Sequence, residues 1–99
     1  MITFVRTAAV APGKLADAVA FNQQVTKLAK DKFGLDVRAS TPIGGNPSRM
    51  AWTMSYPGLA EFDAMSIKIN GDADYQKLLD ANVATFVPGS VHDQLWRSV

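Results

Sequence analysis

Three Pro-Gly dipeptides divide the sequence into segments and limit what each segment can form. They are Pro12-Gly13, Pro57-Gly58 and Pro88-Gly89. Proline has no backbone N–H, and glycine loses more conformational freedom on folding than any other residue, so such pairs interrupt helices and strands. Residues 41–47, with two prolines, two glycines and an asparagine, form a fourth interruption. Regular structure must therefore fit between these four positions.

Alternation of apolar and polar residues indicates four strands. The clearest alternation runs from Arg49 to Tyr56, where Met50, Trp52 and Met54 share one side with Tyr56. Successive residues of a strand point to opposite faces, so these four large side chains lie on one face of the sheet. The same pattern, with β-branched and aromatic residues, predicts three further strands. They are Ile2–Val10, Leu35–Ser40 and Val91–Arg97.

Apolar residues at helical spacing predict helices in the remaining segments. A long stripe runs from Lys14 to Phe33, and Gly34 stands where a helix C-terminus favours glycine. A second helix is predicted from Leu59 to Ile69. Asp72 is a suitable N-cap for another helix, which we expect to continue through Phe86.

The order of elements is strand, helix, strand, strand, helix pair, strand, which predicts one α+β domain over residues 1–99. Two split βαβ halves give a ferredoxin-like four-stranded antiparallel sheet with helices on one face. Apolar residues occur on both sides of the strands, as Phe4 beside Val5 and Leu95 beside Trp96 show. An exposed apolar face usually marks an interface. We therefore expect a homodimer that pairs through the bare sheet face and encloses a cavity between the sheets.

Composition excludes several functional classes. The net charge is +1, with 47% hydrophobic and 19% charged residues, which is ordinary for a globular protein. Lys27, Lys30 and Lys32 cluster where the first helix ends, and no basic face with interleaved aromatics occurs, so nucleic-acid binding is not expected. No apolar stretch approaches the ~20 residues of a membrane span. With no cysteine and no basic leader, the expected location is the cytoplasm.

Several short stretches, taken in order, resemble a known family. The stretches are Phe4-Val5-Arg6-Thr7, Pro12-Gly13-Lys14-Leu15, Ile43-Gly44, Arg49, Met50–Tyr56 and Pro57-Gly58-Leu59-Ala60-Glu61-Phe62. Their order and spacing resemble NIPSNAP-type domains, in which a strand bearing an arginine meets Pro-Gly and a long helix. Phe4 stands where that family commonly has a carboxylate, and Ala8 where it commonly has an aromatic residue.

The resemblance implies a dimeric α+β barrel. That group also includes monooxygenases of the antibiotic-biosynthesis type, stress-responsive barrel proteins and several isomerases. Their active or binding cavities lie between the sheet and its own helices or segments of the partner. The resemblance also places Arg6 at the arginine position of the family.

Three residues are candidates for binding a ligand. Arg6 lies in the middle of a strand on the same face as Phe4 and Ala8, where an unpaired arginine is costly to bury. It must meet either the anionic group of a ligand or an aspartate of the chain. Trp52 and Tyr56 could line an aromatic pocket for a planar molecule, or pack in the core of a dimer.

His92 is the candidate catalytic residue, because it is the one side chain that titrates near neutral pH unaided. Its neighbour Asp93 should point to the opposite face of the strand, so the two are not expected to form a dyad. A single histidine without cysteine makes a transition-metal site unexpected, and no cofactor is predicted.

Three functions are compatible with these residues. The first is a small-molecule-binding homodimer whose ligand is unassigned. The second is a cofactor-independent monooxygenase or isomerase acting on an aromatic or ketonic compound, in which Arg6 holds an anionic oxygen and His92 moves a proton. The third is a structural or regulatory interaction module. A cavity on which Arg6, Trp52 and His92 converge would indicate the enzyme, and a fully packed interior would indicate the module.

Overall fold

Four strands and three helices follow one another in the predicted order. The computed structural model describes residues 1–99. The elements are β1 (Ile2–Ala9), α1 (Leu15–Phe33), β2 (Arg38–Ser40), β3 (Arg49–Tyr56), α2 (Leu59–Asn70), α3 (Ala73–Ala81) and β4 (His92–Arg97). The sheet order is β2-β3-β1-β4, and every neighbouring pair is antiparallel. The predicted ferredoxin-like sheet is therefore confirmed.

The large side chains of β3 lie beneath the helices of their own chain. Met50 is 2% exposed, Trp52 7% and Tyr56 6%. In the β1–β3 register Arg6 is opposite Trp52, so Arg6 shares this helix-covered face. A cavity lies on the same face, between the sheet and the helices. This is the position, between the sheet and its own helices, that the family resemblance implied; a cavity between the sheets of two chains stays a prediction.

Helix α1 spans the sheet and ends as its sequence predicts. Ala18, Phe21 and Ala29 form its buried side. Gly34 has φ 64°, in the left-handed region that favours glycine. Its N–H donates to the Lys30 carbonyl at 3.0 Å, and the N–H of Leu35 donates to the Ala29 carbonyl at 3.1 Å. These two bonds satisfy carbonyls that the helix end would otherwise leave unpaired.

Helix α3 begins where predicted but is shorter than predicted. The Asp72 carboxylate accepts from the Tyr75 N–H at 2.9 Å, which confirms Asp72 as the N-cap. The helix ends at Ala81, and the prediction that it continues through Phe86 is wrong. The Asn82 side chain donates to the Leu78 carbonyl at 2.8 Å and so competes with a further helical turn. Phe86 instead forms an isolated β-bridge with Val10.

Strand β2 is also shorter than predicted, because it starts at Arg38 rather than Leu35. The N–H of Leu35 is committed to the end of α1, so it cannot bond to a neighbouring strand. Lys32, near that end, pairs with Asp72 at 2.6 Å and with Asp74 at 2.7 Å. These ion pairs join the last turn of α1 to the start of α3.

The face of the sheet away from the helices is uncovered within the chain. By alternation from the helix-covered residues, it carries the following side chains: Thr3, Val5, Thr7, Ala9, Arg38, Ser40, Arg49, Ala51, Thr53, Ser55, His92, Gln94 and Trp96. Most of them are small or polar. Trp96, which is 58% exposed, is the large apolar exception. Separately, each helix is too short or too polar to cross a membrane.

Candidate functional site

A cavity of about 280 Å³ lies between the helix-covered face of the sheet and the three helices. Of the 22 residues that line it, 18 are hydrophobic, so a molecule inside would touch mainly apolar surface. The lining comes from β1, the segment before β2, β3, all three helices, the segment between α3 and β4, and β4 itself. The cavity is therefore a product of the whole fold and not of one loop.

Aromatic rings form two groups in the cavity wall. Phe21 and Phe86 contact Trp52 edge-to-face, with ring centroids 6.2 and 5.5 Å from that of Trp52. Phe62 contacts Phe4 at 5.4 Å and Tyr56 at 5.5 Å. Such tilted contacts hold rings in fixed orientations. Trp52 and Tyr56 both lie in this wall, and their role in binding a planar molecule stays a prediction.

Asn22 fixes the indole of Trp52. The Trp52 Nε1–H donates to Asn22 Oδ1 at 2.7 Å, and Asn22 Nδ2 donates to Met50 Sδ at 3.1 Å. Sequence reasoning counted Asn22 within the apolar stripe of α1 without assigning it a function. A polar residue inside an otherwise apolar helical stripe was the available signal, because buried polar groups require partners.

Arg6 and Asp93 form the charged part of the cavity wall. Arg6 Nε donates to Asp93 Oδ1 at 2.7 Å and Nη2 donates to Oδ2 at 2.9 Å, which is a bidentate pair. The residues are direct cross-strand partners on β1 and β4. Their side chains are 40% and 42% exposed, so this end of the cavity meets solvent. Hydrogen bonding to Arg6 lowers the pKa of Asp93, and the same bond raises the pKa of Arg6.

Neutral polar side chains also line the cavity. Tyr75, from the first turn of α3, lies near the Arg6 guanidinium and adds to its raised pKa after Asp93. Ser66 and Asn70 of α2 also line the cavity. Sequence reasoning placed Tyr75 on a helix but missed it as a site residue. Its place three residues after the Asp72 N-cap, on the inner side of the helix, was the signal that could have found it.

Tyr56 is the last of the helix-covered residues of β3 and lies away from the ion pair. It is 6% exposed, and burial raises the pKa of its phenol. Its hydroxyl donates to Met54 Sδ at 3.7 Å, a weak contact. Tyr56 can therefore offer a ligand a ring face and a protonated hydroxyl.

His92 does not belong to this cavity. It is opposite Thr7 in the β1–β4 register and is exposed on the uncovered face, whereas Asp93 points to the helices. The alternation that predicted separate directions for His92 and Asp93 is thus observed. The structure brings together Arg6, Trp52 and Tyr56 but leaves His92 on the other side of the sheet. A catalytic role for His92 stays a prediction.

A second depression, of about 330 Å³, lies beside residues 41–49 on the other side of the sheet. Only two of its nine lining residues are hydrophobic, against 18 of 22 in the helix-covered cavity. Its cation is already engaged, because Arg49 Nη2 donates to Thr7 Oγ1 at 2.7 Å and to the Ser90 carbonyl at 2.9 Å. No group of three or more histidine, aspartate or glutamate side chains is placed to hold a metal ion. The helix-covered cavity is the stronger candidate.

Comparison with known proteins gives information on the fold. No model of a known protein family matches the sequence, and no curated protein matches it. Among solved structures, an uncharacterized NIPSNAP domain protein from Burkholderia xenovorans superposes with a TM-score of 0.83 at 15% identity, covering 100% of this chain and 95% of that one. A NIPSNAP family protein from Agrobacterium tumefaciens gives 0.81 at 14% identity, covering 99% and 85%.

Solved structures of a second kind of protein share the same architecture. A putative antibiotic biosynthesis monooxygenase from Deinococcus radiodurans superposes with a TM-score of 0.73 at 10% identity, covering 100% of this chain and 93% of that one. Identities this low establish a common fold and leave the activity open, because one fold serves many chemistries. The chain thus has the fold of NIPSNAP domain proteins, as the order of its short sequence stretches indicated.

Proposed function

We propose that this chain binds a small, largely apolar molecule in the cavity between its sheet and its helices, and that it does so as a homodimer. The observation that carries the proposal is the cavity itself, with 18 hydrophobic lining residues and a polar end at Arg6 and Asp93. Ligand sites are typically concave, mainly apolar and provided with a few polar groups that orient the ligand. The volume of about 280 Å³ is close to the lower end of the usual range of ~300–1,000 Å³.

The uncovered sheet face supports the homodimer. That face presents Val5 and Trp96 to solvent in the isolated chain, and no helix packs on it. A second copy placed there would bury both residues without covering the cavity, which lies on the other face. A location in the cytoplasm belongs to the same proposal.

The interaction module is less well supported, because a packed interior was expected for it and the interior contains a cavity. The monooxygenase or isomerase is favoured by one observation, the structural likeness to a putative antibiotic biosynthesis monooxygenase. For such a reaction the proton would have to move through Asp93, Tyr56 or Tyr75, since His92 faces away from the cavity and an arginine does not release its proton. Binding is common to both candidates and can be tested first.

The test uses a neutral dye, N-phenylnaphthylamine, whose fluorescence rises in apolar sites. Ala29 is 7% exposed and lines the cavity, so Ala29→Phe should place a ring in the empty space. We expect the wild-type chain to bind the dye and Ala29→Phe to lose at least tenfold in affinity. The matched control is Ala20→Phe, the same change on the same helix at an exposed position outside the cavity. It should bind as the wild type does.

Equal dye binding by the wild type and Ala29→Phe would refute the proposed site, since the dye would then be bound elsewhere. Absence of binding to the wild type would refute the function. Circular dichroism establishes that each variant is folded. If Ala29→Phe does not fold, Val25→Phe, at a half-buried position in the same lining, replaces it.

A further inference from the structure

We infer that the ligand of this cavity carries an uncharged oxygen, such as a carbonyl or hydroxyl, at its polar end, and that the cavity selects against carboxylates, sulfonates and phosphates. The inference rests on the proposed function and adds the chemical class of the ligand. It follows from the charges that line the cavity, from the geometry of the one ion pair, and from the groups that remain free to bind.

The charges in the cavity wall cancel. Among the 22 lining residues, Arg6 and Asp93 are the ones with a formal charge, and they have opposite signs. The net formal charge of the lining is therefore +1 − 1 = 0. An anion that entered would find no excess positive charge and would lose its hydration. Transfer of an uncompensated charge into an apolar site costs far more than transfer of a neutral oxygen.

The Asp93 carboxylate already occupies the Nε–Nη2 side of Arg6, one of the two sides on which a ligand anion could make a bidentate pair. Its two oxygens accept from Nε and Nη2 at 2.7 and 2.9 Å, the fork-to-fork arrangement that carboxylates and phosphates use with arginine. The pairing is held by the backbone, since the two residues are direct cross-strand partners. The guanidinium also lies over the Phe4 ring, with Cζ 5.5 Å from its centroid, which further limits its movement.

Displacement of Asp93 by a ligand anion would leave a carboxylate without its partner. Breaking one side of a partly buried ion pair is unfavourable because the remaining charge has lost its compensation. The lowered pKa of Asp93 agrees with a carboxylate that the arginine keeps ionised. An anionic ligand must therefore overcome an interaction that a neutral ligand leaves intact.

A neutral oxygen can bind without disturbing the pair. Arginine has N–H groups beyond those that Asp93 accepts from, and these can donate to a carbonyl oxygen. The Asp93 carboxylate can accept from a ligand hydroxyl. Tyr75 beside Arg6, together with Ser66 and Asn70 in the same lining, adds neutral donors and acceptors. The polar end of the cavity thus matches a ketone, quinone or phenol attached to an apolar body.

The test compares two dyes that share one scaffold, the neutral N-phenylnaphthylamine and the anionic anilinonaphthalene sulfonate. The comparison uses only the dye binding that Ala29→Phe or Val25→Phe abolishes. Dye that binds to the uncovered face of the sheet is thereby excluded from the measured affinities. We expect wild-type protein to bind the neutral dye more tightly. In Asp93→Asn, which frees the arginine, affinity for the anionic dye should rise about tenfold relative to the neutral dye, equal to ~1.4 kcal/mol.

Asp36→Asn is the matched control. Asp36 is exposed, pairs with Lys30 at 2.9 Å and lies outside the cavity, so the variant changes the net charge equally. It should keep the wild-type ratio of affinities. If Asp93→Asn does not fold, Asp93→Thr replaces it, because threonine suits a strand.

Each outcome decides a separate question. Tighter binding of the anionic dye in the wild type, or an equal change in Asp93→Asn and Asp36→Asn, refutes the inferred ligand class and leaves the proposed function standing. Absence of cavity binding by both dyes refutes the proposed function and the inference with it. A ratio that shifts only on substitution of Asp93 supports the inference.

Discussion

Burial changes the acid–base behaviour of Tyr56. The pKa of its phenol is raised above the ordinary value of 10.0, so the folded chain keeps this proton at a pH where the unfolded chain loses it. The resulting contribution to stability is present below pH 10.0 and is lost as the pH rises through the higher folded pKa. Each unit of pKa shift corresponds to ~1.4 kcal/mol.

We predict that, in the alkaline range, the unfolding free energy of Tyr56→Phe falls less steeply with rising pH than that of the wild type. Urea denaturation at a series of pH values on either side of 10.0 measures the unfolding free energy of wild type and variant. The difference between the two proteins should be constant below that pH and should shift in favour of Tyr56→Phe above it. Parallel curves throughout the alkaline range would show that the phenol ionises equally in the folded and unfolded chains.

At the scale of single residues, the sequence could identify Arg6, Trp52 and Tyr56 because alternation in a strand shows which residues share a face. It could also state that Arg6 needs a partner. It could not choose between a ligand and an aspartate, since that choice depends on the β1–β4 register, which places Asp93 opposite Arg6. Tyr75 was missed because its proximity to Arg6 arises from packing between elements far apart in the chain.

The end of α1 allows a prediction at the scale of elements. Gly34 has φ 64°, where a Cβ atom is unfavourable, so Gly34→Ala should lower the unfolding free energy by ~1 kcal/mol. Gly44 in the 41–48 loop has no positive φ, and a Cβ added there would meet nothing within 4 Å. Gly44→Ala should therefore leave stability unchanged or raise it slightly, by restricting the unfolded chain.

Urea denaturation of both variants checks the comparison. The two substitutions are chemically identical, so a difference between them reports the backbone conformation alone. Equal effects of Gly34→Ala and Gly44→Ala would contradict the assignment of a left-handed helix cap at Gly34.

Element ends differ in how well the sequence defines them. The start of α3 and the end of α1 were predicted correctly because Asp72 and Gly34 act through local hydrogen bonds and local dihedral angles. The end of α3 was predicted five residues too late. Apolar residues continue at helical spacing as far as Phe86. Phe86, however, lies outside the helix and forms a β-bridge with Val10, a contact between distant parts of the chain. Periodicity cannot show such a contact.

On the scale of the whole molecule, the proposed homodimer can be disrupted at its centre. Thr53 lies on the uncovered face between Val5 of β1 and Arg38 of β2. Thr53→Arg would place a charge at this point in both copies, so we expect it to convert the dimer to a monomer. The control is Gln23→Arg, an exposed polar residue of α1 changed to the same side chain.

Analytical ultracentrifugation gives the oligomeric state of each protein. Because the cavity lies on the opposite face and is lined by residues of one chain, the Thr53→Arg monomer should still bind N-phenylnaphthylamine. A wild-type chain that sediments as a monomer, or a Thr53→Arg variant that stays dimeric, would contradict pairing through this face.

The sequence predicted the sheet and its order of elements but not the side on which the cavity lies. Alternation assigns residues to two faces without showing which face receives the helices. The crossover connections β1–α1–β2 and β3–α2–α3–β4 decide this, because right-handed crossovers place the helices together on one side. In this chain they cover Met50, Trp52 and Tyr56 and leave the Thr53 side open.

Strand β4 lies at the edge of the sheet, and all six of its residues are exposed. An open edge offers unpaired N–H and C=O groups to which the strand of another molecule can add, and this is how many proteins begin to form fibres. Proteins resist such growth with charged side chains that point inward from an edge strand. Asp93 is such a side chain, and Arg6 holds it in place. We therefore expect the pair at the polar end of the cavity also to oppose the addition of another strand to this edge.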